Sequence, residues 1–284
     1  MQAVERLHTL GRRLPGDCLA VFEARLGPGE GPVDLSIRLR DRSEAGRVEG
    51  LPLPPHLAAF LSAWAEPDGP FAPVRSVWLE FDLDRDPEGL PCPIPSAKLA
   101  GPVDPDWLTG TLLPALHGKP LSPEQREAVR FCLAALPAPG SLLYAFSLFP
   151  RNPGAVRLEA VGQSREEILE TLRRVAPRTE QCASQAAPLF GKSGRFHLFA
   201  FDLTSEVLPR IGIEASFARQ PAREPGWEIL FQELVAAGLC TPGKRDAALA
   251  WSGYDTFRTA PEAWPLEAAG HRGFFVRSLS HVKV

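Results

Sequence analysis

Three basic residues near the C-terminus, Arg277, His281 and Lys283, alternate with their neighbours, so that on one strand they share a face with Phe275 and Leu279. A cationic stripe of this kind can receive a carboxylate, a diphosphate or a peptide C-terminus. On an edge strand the same charges deter aggregation, and both readings stay open. Arg38 and Arg157 add basic positions on other strand-like segments. Trp78 stands on the polar side of its segment beside Glu80 and Asp82, where an aromatic suits a binding surface better than a core. Asp82 and Asp202 hold matching places in an internal repeat. Such a pair could converge for acid–base work, or each could hydrogen-bond turn amides, the reading favoured here. The candidate binding residues are therefore Arg38, Trp78, Arg157, Arg277, His281 and Lys283, and no residue is assigned a catalytic role.

Other chemistries lack their signatures. The six histidines form no HxH or HExxH, so no metal is expected. There is no GxxxxGK[ST] and no GxGxxG. A GKS tripeptide at Gly191, Lys192 and Ser193 lacks the upstream glycine and reads as a loop. No GxSxG elbow occurs. The five cysteines form no CxxC, which points to reduced thiols; Cys132 and Cys240 sit in apolar runs, and Cys182, in a polar stretch, is the candidate reactive thiol. No cofactor is expected. The net charge of −3 argues against a nucleic-acid partner. No stretch approaches the ~18 apolar residues of a membrane span, and the first residues lack the apolar centre of a secretory signal, so the expectation is a soluble, cytoplasmic protein.

Positioning these residues takes strands and helices whose periods can be read. Val33 to Arg40 alternates cleanly, with Val33, Leu35, Ile37 and Leu39 opposed to Asp34, Ser36, Arg38 and Arg40, the pattern of a half-buried antiparallel strand. It pairs with Cys18 to Leu26 through a Gly/Pro turn. Further strands are expected at 74–83, 142–149, 155–161, 196–203, 208–217 and 274–284. A segment from Leu90 to Ala97, broken by Pro91, Pro93 and Pro95, is confined to a sheet edge or a loop. Helices are expected at 2–13, 54–65, from Pro105 toward Leu116, from Pro123, from Ser164, at 226–237 and from Pro242. Ser122 with Gln125 and Ser164 with Glu167 spell capping boxes.

The order of these elements repeats. Phe81-Asp82-Leu83, Leu90-Pro91, Ser122-Pro123 and Arg126-Glu127-Ala128 are matched by Phe201-Asp202-Leu203, Leu208-Pro209, Thr241-Pro242 and Arg245-Asp246-Ala247, about 120 residues later. Residues 1–137 and 138–284 thus form two halves, each strand–strand–helix–strand–strand–helix–helix, with one strand added at the end. The fold class is α+β: mainly antiparallel sheet with helices on one face, as two related sheets or one barrel.

The segments RIGIEASF (210–217), WEILFQELVAAGLC (227–240), TPGKRDAALAWSG (241–253) and RSLSHVKV (277–284) resemble bacterial proteins of gene clusters for ribosomally made, modified peptides, of the crocagin type. The resemblance implies a non-catalytic accessory protein that binds a precursor peptide and presents it to tailoring enzymes in natural-product biosynthesis; it brings no catalytic residues. The repeat order is also similar to the αββα prenyltransferase barrel, which implies an aromatic or peptide prenyltransferase with basic residues on a diphosphate. That family shields its cation with several tyrosines, and here only Tyr144 and Tyr254 occur. A peptide partner is the first expectation and prenyl transfer the alternative. A dimerisation module, hence a homodimer, remains a third reading.

Overall fold

The computed structural model describes residues 2–14, 18–84, 91–138, 142–161, 164–177, 195–256, 258–259 and 274–284. Its centre is one sheet of nine strands, each antiparallel to its neighbours: β1 (Leu19–Ala24), β2 (Val33–Leu39), β3 (Val74–Asp82), β4 (Ile94–Leu99), β5 (Leu142–Ser147), β6 (Val156–Val161), β7 (Arg195–Leu203), β8 (Val207–Ser216) and, after two intervening strands, β11 (Val282–Lys283). The intervening strands, β9 (Gly253–Thr256) and β10 (Phe274–Arg277), form a separate two-stranded sheet. The sheet curls into a half-barrel, the barrel-like α+β form that the alternating strands suggest.

Helices are set where the caps place them. The chain opens with α1 (Gln2–Gly11), and α2 (Pro55–Ala65) buries Leu57, Phe60, Leu61 and Trp64 at helical spacing. Asp104 caps α3 (Pro105–Trp107), which continues through a π-helical turn (Leu108–Leu112) into α4 (Leu113–His117). The π turn lies just before Pro114, whose ring would clash with the carbonyl four residues back in a regular α-helix. Both capping boxes form, opening α5 (Pro123–Ala135) and α6 (Arg165–Val175). Last come α7 (Gly226–Ala236), whose C-terminal turn ends at Gly238 with φ of 72°, and α8 (Pro242–Ala250), capped by Thr241.

One face of the sheet is apolar and packs under the helices. Leu35, Ile37, Val77, Leu79, Phe81, Phe199 and Phe201 meet Trp64, Leu116, Leu172, Trp227 and Leu230 in one continuous core. The sequence pattern predicts that the other face of β2 is solvated. The structure buries its first half: Asp34 and Ser36 are buried, Arg38 is half-buried and Arg40 is exposed. The reason is the curl, which turns that face inward. Tyr144 on β5 is within electrostatic reach both of Arg38 on β2 and of Glu214 on β8, three strands to either side. The curl is held at its ends. Lys244 Nζ, at the start of α8, donates to the carbonyls of Arg25, Gly27 and Gly29 in the β1–β2 turn at 2.7–2.8 Å, and Thr241 N donates to Leu26 O.

Two expectations are corrected. The proline-rich segment forms an interior strand, β4, between β3 and β5. Pro95 lies opposite Leu79, and the ladder to β5 begins only at Ser96, so neither neighbour needs a proline N–H. The single C-terminal strand is two: β10 pairs with β9, the chain leaves the sheet at 278–281, and β11 pairs with β8. Gln220 causes the break. Its side chain accepts from Leu279 N at 2.7 Å and donates to Leu279 O at 3.1 Å, taking the part a neighbouring strand would play.

Candidate functional site

The inner face of the sheet is the chemically dense surface of the molecule. Residues opposite one another in an antiparallel ladder share a face, so the register sets out rows. Arg38, Trp78, Ser96, Phe146, Arg157 and Asp202 form one row across β2 to β7. Ser76, Lys98, Tyr144, Glu159, Ala200 and Gly212 form the next, across β3 to β8. Glu23, Asp34 and Asp82 lie toward one end, and Glu214 with Lys283 at the far edge.

Most of these charges are matched inside the fold. Arg151, in the β5–β6 turn, reaches back to Glu80 and to both oxygens of Asp82, with Nε to Asp82 Oδ2 at 2.8 Å, and lies 3.9 Å from Asp34. Arg25 binds Asp34 at 2.9 Å from across the first hairpin. The carboxylates of Glu23, Asp34 and Glu80 approach within 4.8 Å of one another, a spacing that suits a cation. Here Arg25 and Arg151 bring the positive charge to that cluster. Burial, then the negative charge of Asp82, pushes the Asp34 carboxyl up to about 6. In the middle of the face Arg157 donates to Asp202 at 2.6 and 3.1 Å.

At the far edge Lys283 donates to Glu214 at 2.6 Å and to Glu159 at 3.4 Å. Its stem passes over Gly212, where a Cβ would lie 2.6 Å from Lys283 Cε, so glycine there keeps the lysine's path to β6 clear. The ammonium sits closer to Glu214, whose carboxyl is held low. Burial pushes Glu159 up to about 8, and a hydrogen bond to Glu214 adds to the rise. The pair therefore keeps one proton at neutral pH. A carboxyl raised in the folded state stabilises while it is protonated; that contribution is complete below the unfolded value near 4.5 and lost as pH rises through about 8. Glu159→Gln, which copies the protonated form, is expected to match the wild type at pH ~5 and to melt at least ~2 °C higher at pH ~9. Thermal melts across that range check it; parallel curves would contradict the shared proton.

Three basic residues of the inner face, Arg157 among them, lie on aromatic rings. The guanidinium of Arg38 is 5.7 Å from the Trp78 ring centre, Lys98 Nζ is 5.8 Å from Tyr144, and Arg157 is 5.8 Å from Phe146. Burial lowers the Lys98 pKa, and the nearby cations Arg38 and Arg75 lower it further.

Of the sequence-predicted residues, Arg38, Trp78, Arg157 and Lys283 come together on this face, and His281 stands at its rim, 3.9 Å from Glu214. Arg277 does not join them. It lies on the two-stranded sheet, paired with Asp255, over the Trp251 ring and bonded to Trp251 O. The shared stripe is thus corrected by the same break that splits the strand. Asp82 and Asp202 lie within or at the end of strands and hold arginines, in place of the expected turn amides alone. Cys132 and Cys240 are buried, as their apolar runs predict, whereas Cys182 and the GKS tripeptide fall outside the described residues.

Sequence reasoning missed Arg151, Lys98 and Glu159. Alternation alone could have placed Lys98 and Glu159 inward, but nothing in the turn Pro150–Gly154 marks Arg151 as half-buried and turned toward acids. It also missed a buried contact of His117 Nδ1 with Ser147 Oγ at 2.7 Å, which ties the end of α4 to β5. No protein-family model matches the chain, and no curated protein matches it. No described helix is long and apolar enough to cross a membrane.

Proposed function

We propose that the protein is a non-catalytic peptide-binding accessory protein, which presents a precursor peptide to tailoring enzymes in natural-product biosynthesis, and that the peptide adds as a strand along β1. One observation carries this reading. β1 pairs with β2 along its whole length, and among the described residues no strand lies on its other side. Leu19 and Phe22 of this edge, on opposite faces, are 43% and 46% exposed. An apolar edge with free backbone groups invites another chain, and peptide recognition by strand addition uses such an edge. The transferase alternative needs several cations free to hold a diphosphate, whereas Arg151, Arg157 and Lys283 each have carboxylates bound.

Titration calorimetry of the full chain against synthetic peptides made from whatever short reading frames adjoin its gene tests the proposal. Binding is expected, and the double variant Leu19→Lys/Phe22→Lys is expected to lose it by about tenfold or more. Because both side chains are exposed, melting should move by no more than ~2 °C. Absence of heat with the neighbouring peptides, or full affinity in the double variant, would count against strand addition at β1.

A further inference from the structure

Four basic residues at the inner face, Arg25, Arg151, Arg157 and Lys283, each meet a carboxylate within 3 Å. Arg38 and Lys98 do not: among the described residues neither has a carboxylate partner. They sit near each other through the register, Arg38 opposite Trp78 and Lys98 opposite Ser76, with Arg38 Nε 3.4 Å from Ser76 Oγ. The charges felt by Lys98 come from Arg38 and Arg75, both positive. A third donor stands beside them. The buried indole N–H of Trp78 faces the Tyr144 hydroxyl but makes no hydrogen bond of good geometry. Guanidinium, ammonium and indole N–H are therefore gathered where, among the described residues, no carboxylate is supplied, unlike Arg25, Arg151, Arg157 and Lys283.

We infer that Arg38, Trp78 and Lys98 form a binding site for an organic carboxylate, whose apolar body lies against the rings of Trp78, Tyr144 and Phe146. The acceptor count favours a carboxylate over a phosphate. Two oxygens offer about four lone-pair positions, which a guanidinium edge, an ammonium and an indole N–H can fill. A phosphate brings a further oxygen and more charge to desolvate in a half-buried place. The aromatic walls suit an acid on an apolar or aromatic body. This site stands apart from the peptide reading, since a free acid and an acidic group of a bound peptide present the same chemistry. Leu19 of β1 lies opposite Arg38, so a peptide strand on that edge would run about 10 Å from β2, within reach of the arginine.

Calorimetry of the full chain with phenylacetate, phenylacetamide and pyrophosphate tests the inference. Phenylacetate is expected to bind and the neutral amide not to. Lys98→Met and Arg38→Met are each expected to weaken phenylacetate by about tenfold or more. Without ligand neither variant should melt lower, because each removes one of two like charges. Equal binding of acid and amide would overturn the inference, as would unchanged affinity in Lys98→Met, or binding of pyrophosphate without phenylacetate. If a variant fails to fold, the acid–amide comparison on the wild type still decides. The source of the acid is read from the β1-binding peptide made with a free and an amidated C-terminus. A loss on amidation assigns the peptide end; equal binding of both forms, with phenylacetate still bound, assigns a free acid. Phe22→Lys, on the face of β1 away from Arg38, should weaken peptide binding and leave phenylacetate intact, which separates failure of the peptide reading from failure of this site.

Discussion

Arg151→Met is expected to cost about 3–5 kcal/mol of folding stability, because it strips the counter-ion from several buried carboxylates at once. Arg151 binds Glu80 and Asp82 directly and lies within 4 Å of Asp34, and all three acids are buried. Even with the arginine in place, burial raises Asp34 to about 6 and also raises Glu80. Removing the cation raises both further, so the variant should take up protons that the wild type does not hold. The sign follows: a carboxyl with a raised folded pKa destabilises above that pKa and is relieved below it. The deficit of Arg151→Met should therefore be largest near pH 8 and shrink toward pH 5. Urea denaturation at the two pH values measures it. Arg151→Lys should recover only part of the loss, because an ammonium cannot grip Asp82 with two nitrogens while holding Glu80. A deficit independent of pH would mean that the methionine variant loses packing and that the charge cluster contributes little.

What the sequence disclosed, and what it hid, follows the range of the interaction involved. Caps are local, and Ser122 with Gln125 and Ser164 with Glu167 both form as their spacing predicts. Alternation is local too, so the inward row of Asp34, Ser36 and Arg38 is correct as a row. Alternation does not reveal whether a polar row meets water or the far side of a curled sheet, since that depends on strands up to β8. The break in the C-terminal strand was hidden because the alternation of Phe275, Arg277 and Leu279 runs on without interruption. It is the amide of Gln220, 59 residues earlier, that captures Leu279. Arg151 was hidden for the same kind of reason. A Pro-Arg-Asn-Pro-Gly turn reads as a solvated loop, and the acids it serves are 69 and 71 residues away.

Arg157 gives the second large expected effect, and it separates a scaffold residue from a ligand residue. Its side chain is 13% exposed and that of Asp202 is 11%, with two hydrogen bonds between them. Truncating either partner leaves the other charge buried and unmatched, so Arg157→Met and Asp202→Leu are each expected to cost about 3–5 kcal/mol. The double variant should recover most of that, because an apolar pair against the Phe146 ring needs no counter-ion. Chemical denaturation of the four proteins gives the coupling energy, expected at roughly 2 kcal/mol or more. The sequence marks Arg157 as a binding residue alongside Arg38. In the fold the two differ in one respect: Arg157 has an acid of its own and Arg38 has none. If that difference decides which residue meets a ligand, the Arg157→Met/Asp202→Leu protein should fold and bind both peptide and phenylacetate as the wild type does. A double variant that folds but binds neither would assign Arg157 to the guest, and would make Asp202 the group that holds its place until the guest arrives.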